Sequence, residues 1–207
     1  MLLLTTSAHP TMLQWAHPHH GRLLTPRHYS AAAATGATGA AWAADNDCWA
    51  HGLDIDAYDA MLTELAGIPG CLFVTVPDVV GDAAATARQW ARWQSAPRRR
   101  GLPLAFVAQD GCVERDLVPY AHEFDCLFIG GSTAFKHADS TRQLARAAKR
   151  AGKWIHVGRV NSERRIRWAA GLGADSIDGS GWAVWRNANL PRGLAATQAA
   201  SIQGRLL

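Results

Sequence analysis

The strongest constraint on this chain is a rhythm in which short apolar runs alternate with segments of helical periodicity. The runs are Leu2–Thr6, Arg22–Thr25, Ala41–Ala44, Cys71–Val76, Pro103–Ala108, Cys126–Ile129, Trp154–Val157 and Ala174–Ile177. Several are almost wholly apolar, the pattern of parallel strands buried on both faces. Between them, Ala83, Ala84, Ala87, Trp90 and Ala91 follow a candidate N-cap, Asp82, at helical spacing. Leu144, Ala147, Ala148 and Ala151 do the same ahead of Gly152, as do Ile166, Ala169 and Ala170 after the capping pair Asn161-Ser162. Strand–helix alternation predicts a parallel sheet with right-handed crossovers. Eight such units in an α/β chain favour a compact (β/α)8 TIM barrel over an open sheet. The Ala- and Gly-rich stretch 30–44 reads as helix, turn and strand, so residues 1–207 are expected to form one domain.

Composition narrows the class. Hydrophobic residues make up 48% and charged residues 18%, the balance of a folded chain that can bury a core. No apolar run reaches the roughly 18–20 residues of a membrane span. The opening Met1-Leu2-Leu3-Leu4 is too short for a signal segment, so a cytoplasmic location without membrane contact is expected. Cys48, Cys71, Cys112 and Cys126 form no close pair, which argues for free thiols and against a zinc ribbon or disulfide framework. With 21 Lys+Arg against 17 Asp+Glu, a polyanionic partner is permitted but not demanded.

In a barrel of this kind the chemistry lies at the C-terminal ends of the strands. That rule sends His9, Arg27-His28, Asp45-Asn46-Asp47, Asp78, Gln109-Asp110, Gly130-Gly131-Ser132, Gly158-Arg159 and Asp178 to the upper face. His17, His19, His20 and the run Arg98–Arg100 go to the lower face, away from catalysis. The histidines lack a helical i, i+4 pair and a nearby carboxylate, so no metal is expected there. An aspartate after a strand often only caps the next helix, and Asp82 and Asp139 read that way. Asp45, Asp78 and Asp178 instead end apolar runs directly, where side chains face the barrel mouth. Carboxylates converging there suit acid/base or nucleophilic work at a glycosidic centre. Gly130 and Gly131 allow close backbone approach to a planar base or a phosphate, or serve a tight turn. Arg164, Arg165 and Arg167 occupy early helical turns, where positive charge opposes the helix dipole. With Arg159 they are candidates for nucleic-acid backbone, or a solvated face. Trp182 and Trp185 are candidates to stack on an unpaired base, or to pack in the core.

From Ala41 to Gly181, the order and spacing of these pieces resemble the tRNA-guanine transglycosylase family, nearest to its shorter relatives that insert 7-deazaguanines into DNA. The matching segments are AADNDCW with Asp45, FVTVPDVVGD with Asp78, FVAQDG with Gln109, FIGGST with Gly130-Gly131, and VGRVNSERRIRWAAGLGADSIDG with Asp178. The resemblance implies that Asp178 is the nucleophile forming a covalent glycosyl-enzyme and that Asp45 is the general acid/base. It implies that Asp78, Gln109 and the Gly130-Gly131 backbone read the base. On their charge, and not on the resemblance, Arg159, Arg164, Arg165 and Lys136 are expected against nucleic-acid backbone. No cofactor is implied. The three-cysteine, one-histidine zinc site of the tRNA-acting members is absent, since no cysteine follows Cys126, and Lys136 stands where their pattern ends in an acid. These departures favour DNA over tRNA as partner, with a free 7-deazaguanine base as co-substrate. A homodimer and helper proteins stay open. Two other readings remain: a small-molecule barrel enzyme acting on a phosphosugar or glycoside, and a nucleic-acid-binding barrel subunit without catalysis.

Overall fold

The computed structural model describes residues 1–6, 16–31, 41–184 and 186–203. His9, Trp185 and most of the turn expected before the third strand lie outside them. Eight parallel strands close into a barrel in sequence order: β1 (Leu2–Thr5), β2 (His20–Leu24), β3 (Trp42–Ala44), β4 (Cys71–Thr75), β5 (Leu104–Ala108), β6 (Cys126–Ile129), β7 (Trp154–Val157) and β8 (Ser176–Asp178). The closing pair is β1 with β8, with Leu3 opposite Ile177 and Leu4 opposite Asp178. The chain is therefore an α/β TIM barrel, as the alternation predicted.

Six strands differ from the hydropathy reading; β1, β3, β4 and β5 are each one residue shorter at one end, and β2 and β8 are shifted. β2 begins two residues early because His20 and Gly21 pair with Leu3 and Leu4 of β1. β8 starts later and includes Asp178, which pairs with Leu4. Polar residues inside a closed ladder escape a reading based on apolar runs.

The barrel separates two cores by the period-2 alternation of strand side chains. Leu4, Leu23, Ala43, Phe73, Ala105, Val107, Cys126 and Phe128 pack against one another inside it. The alternate positions, among them Leu3, Phe106, Leu127, Ile155 and Ile177, pack outward with Trp90, Leu144 and Ile166 from the helices. Those helices include α1 (Cys48–His51), α2 (Ile55–Leu65), α3 (Ala83–Trp93), α4 (Ser95–Arg99), α5 (Glu114–Leu117), α6 (Thr133–His137), α7 (Asp139–Arg150), α8 (Glu163–Gly171), α9 (Ser180–Ala183) and α10 (Arg186–Gln203). Asp82 caps α3 by accepting from Ala85 N–H at 2.8 Å, and Ser162 caps α8 by accepting from Arg165 N–H. Asp139 is not the cap of α7; that position is Ala138, and Asp139 opens the first turn, where its charge suits the helix dipole. In α7 the buried stripe runs through Thr141, Leu144, Ala145 and Ala148 instead of Ala147 and Ala151. The four cysteines are free thiols, with Cys112 and Cys126 buried. Among the described residues, no helix is long and apolar enough to cross a membrane.

Candidate active site

At the C-terminal mouth a cavity of about 600 Å³ brings together Asp45, Asp78, Gln109, Gly130, Gly131, Arg159 and Asp178. The side formed after β3, β4, β5 and β6 holds Asp45 and Asp78 with neutral groups, while Asp47 pairs with Arg27 and His51. Asp45 follows β3, and its Oδ1 accepts from Asp47 N–H at 3.1 Å and from the Thr75 hydroxyl at 3.4 Å. Dense packing around it, with Asp78 and Asp178 adding like charge, pushes its carboxyl up to about 7 even though part of its surface reaches the mouth. Asp78 follows β4 and accepts from Asn46 Nδ2 at 2.9 Å and from Gln109 Nε2 at 2.6 Å. Burial raises its pKa, and these two amide donors work against the rise.

Gln109 makes three hydrogen bonds within the protein. Its Nε2 donates to Asp78, and its Oε1 accepts from Gly81 N–H and Gly131 N–H, both at 3.0 Å. Gly130 N–H donates to Ala108 O at 3.0 Å. The two glycine N–H groups expected to meet a ligand are thus bonded within the protein. What glycine supplies here is room: at Gly131, with φ +64°, a Cβ would meet the Phe135 ring at 2.5 Å and Asp110 Oδ2 at 2.9 Å. Asp110 itself accepts from Ser132 N–H at 2.7 Å, tying the turn after β6 to the loop after β5.

The opposite side, after β7 and β8, is different. Asp178 Oδ1 lies 3.0 Å from His156 Nε2 and accepts from Arg159 N–H at 3.3 Å. His156 is wholly buried inside the barrel, with the Phe128 and Phe73 ring centroids 4.5 and 5.0 Å from its own. Its other nitrogen, Nδ1, lies 2.8 Å from Ser176 Oγ, which also accepts from Trp154 Nε1 at 2.8 Å. Burial lowers the His156 pKa, so the ring is neutral at physiological pH. A carboxylate only accepts, which assigns the ring proton to Nε2 and leaves Nδ1 to accept from the Ser176 hydroxyl. The hydrogen bonds to the Asp178 side chain from the described residues all fall on Oδ1. Gly158 clears the space beside it, since a Cβ there would meet the Phe128 ring at 2.9 Å and Asp178 Oδ1 at 3.3 Å.

Arg159 crosses the mouth between these sides. It sits in the left-handed region at φ 58°, donates from Nη2 to Gly131 O, and stacks 3.8 Å above the ring of Trp49. Trp49 is itself 61% exposed. Lys136, expected on a phosphate-contacting surface, is instead buried, with Nζ donating to Gly158 O at 2.5 Å. The fourth turn residue of α6 faces inward, so the ammonium lies behind the mouth. Arg165 lines a smaller pocket with it, and Arg164 is exposed one residue earlier. Trp182 is a core residue, donating from Nε1 to Val160 O, and not a free stacking surface.

Toward the N-terminal ends of the strands the polar side chains bond within the protein. Arg98 and Arg100 make local contacts, to Glu123 O and to Asp59. His19 Nδ1 pairs with Met1 O and His20 Nε2 with Thr5 Oγ1. Among the described residues, no group of three His, Cys, Asp or Glu side chains could hold a metal. Sequence reasoning missed His156 and Trp49, and it placed Asn46 at the upper face without giving it a role. The available signal for His156 was one polar residue in an otherwise apolar strand, WIHV.

No protein-family model matches the chain, and no curated protein matches it. Among solved structures it is similar to a mandelate racemase/muconate lactonizing protein from Herpetosiphon aurantiacus, at 18% identity and a TM-score of 0.54, over 87% of this chain and 54% of that one. The chain thus spans about half the length of that protein. It is also similar to a tryptophan synthase from M. tuberculosis, at 16% identity and a TM-score of 0.56, over 97% of this chain and 91% of that one. At such identities the likeness establishes the shared TIM-barrel fold, a scaffold of enzymes, and leaves the reaction to the site itself.

Proposed function

We propose that this barrel is a base-exchange transglycosylase that replaces guanine with a 7-deazaguanine derivative in DNA through a covalent aspartyl-glycosyl intermediate. The observation that carries the reading is the sharing of one cavity by three strand-end carboxylates with different surroundings. Its volume suits a nucleoside. Motif order supports the same assignment, with Asp178 as nucleophile, Asp45 as acid/base and Asp78 with Gln109 beside the base.

The target nucleotide leaves its stack so that its anomeric carbon can reach Asp178. A carboxylate oxygen attacks that carbon, the glycosidic bond breaks, and its electron pair leaves with guanine, which takes a proton from Asp45. The incoming base returns a proton to Asp45, and its nitrogen attacks the same carbon and releases Asp178. Two inversions retain configuration. A carboxyl raised to about 7 can serve as acid in the first half and base in the second. His156 and Arg159 N–H hold one oxygen of Asp178, leaving the other for attack.

Incubation with DNA and a labelled 7-deazaguanine should place label in DNA, and Asp178→Asn should reduce the rate by about 10³-fold or more. Equal labelling by Asp178→Asn would remove the nucleophile. Labelling of tRNA but not DNA would reverse the substrate preference. Failure to bind any nucleic acid at low salt would favour a barrel enzyme acting on a soluble glycoside or phosphosugar.

A further inference from the structure

Beside the main cavity, between the end of β6 with α6 and the loop from β7 to α8, lies a second pocket of about 180 Å³. Lys136, Arg159, Arg165 and His137 contribute to its lining, and among the described residues no carboxylate does. Lys136 is only 8% exposed, and its ammonium has one hydrogen-bond acceptor, Gly158 O, among the described residues. An ammonium carries three donors, so a buried one with a single carbonyl partner is undersatisfied. Among the described residues, Lys136, Arg159 and Arg165 have no ion-pair partner, whereas Lys149, Arg150 and Arg192 each pair with an acid. Burial and the charge of Arg159 push the Lys136 ammonium down to about 8, against the opposing pull of Asp178. The pocket adjoins the mouth directly, because Gly158 and Arg159 line both cavities.

We propose that this pocket binds a single phosphate group of the substrate, with Lys136 at its floor and Arg165 at its rim. The group is tetrahedral, compact and anionic, and it supplies the acceptors that Lys136 lacks. It is carried either by a nucleic-acid strand entering the main cavity or by a small phosphosugar. The strand is the source implied by the base-exchange reading, on which that choice alone rests. In either case the reacting carbon lies at Asp178 while the phosphate docks a short distance away, which fixes the register of the substrate in the mouth.

The test uses the full chain and measures melting temperature and titration calorimetry with sulfate and inorganic phosphate, against chloride at matched ionic strength. Sulfate and phosphate should raise the melting temperature of the wild type. Lys136→Met and Arg165→Gln should bind the anion about tenfold to a hundredfold more weakly, and Arg150→Gln, outside both cavities and paired with Glu114, should not. Lys136→Met removes a buried charge, so a folded Arg165→Gln protein keeps the test decisive if the first variant fails to fold. A short single-stranded oligonucleotide and ribose 5-phosphate are then competed against sulfate. Displacement by the oligonucleotide assigns the site to a strand, and displacement by ribose 5-phosphate alone assigns it to a phosphosugar. Displacement by neither, or an unchanged sulfate effect in both variants, overturns the proposal. Sulfate protection without base exchange would break the functional reading and leave the subsite standing. Base exchange without sulfate protection would do the reverse.

Discussion

The two sides of the barrel mouth use the same residue type in opposite settings. After β3 to β6, Asp45 and Asp78 are surrounded by amides, hydroxyls and each other, with burial raising both pKa values. After β7 and β8, Asp178 faces a neutral histidine, a backbone N–H and the cations Lys136 and Arg159. In the proposed reaction one aspartate carries a proton and another attacks as an anion; those roles need such different neighbours, and the two sides of the mouth differ in that sense.

Asp45→Asn attacks the proton-carrying side. Exchange activity should fall by about 10²–10⁴-fold, measured as the rate of label uptake. Stability should move the other way. Folded Asp45 keeps its proton to about pH 7, against a usual value of 3.8, so the folded state binds the extra proton between those limits. Wild-type stability contributed by this group therefore declines as pH rises from about 4 to 7 and stays lost above that. Urea unfolding at pH 8 should show Asp45→Asn gaining on the order of 2 kcal/mol over the wild type, with little difference at pH 4. No gain at pH 8 would mean that the like-charge cluster carries little strain.

His156→Phe attacks the other side with a smaller effect. A phenyl ring fits among Phe73 and Phe128, so the fold should persist. Losing the Nε2–H to Asp178 should lower kcat by about 10–100-fold with KM nearly unchanged, because the nucleophile loses its orientation and the ligand contacts remain. His156→Gln, which restores an N–H donor, should recover part of the rate. A fall in KM and kcat together, without rescue, would reduce His156 to core packing. The smallest effect belongs to the lower face. Arg99→Ala removes an exposed bond to Ser95 Oγ and should leave activity unchanged and stability within about 0.5 kcal/mol by thermal melting. A loss of activity there would undo the sorting of residues by barrel face.

Much of the mouth was legible before any coordinates. Asp45, Asp78, Gln109, Gly131 and Asp178 stand at strand ends, and strand ends are marked by a local change from apolar to polar residues. The partners that give them character were not legible. Asn46 reaches Asp78 across 32 positions and His156 reaches Asp178 across 22, and no local pattern records such pairs. In the sequence Trp49 is one of nine tryptophans, and only the fold sets Arg159 over its ring.

By itself, then, the sequence determined the alternation of strand and helix, the closed parallel barrel and the end of it where Asp45, Asp78 and Asp178 collect. These follow from hydrophobic periodicity, capping residues and handed crossovers, all of them properties of neighbouring residues. Only the tertiary structure decided that Lys136 is buried behind the mouth, that the glycine N–H groups at β6 are already bonded, and that one carboxylate is held near neutrality while another is held by a histidine. Those outcomes depend on burial and on charges brought together from distant parts of the chain, and both exist only once the barrel has closed.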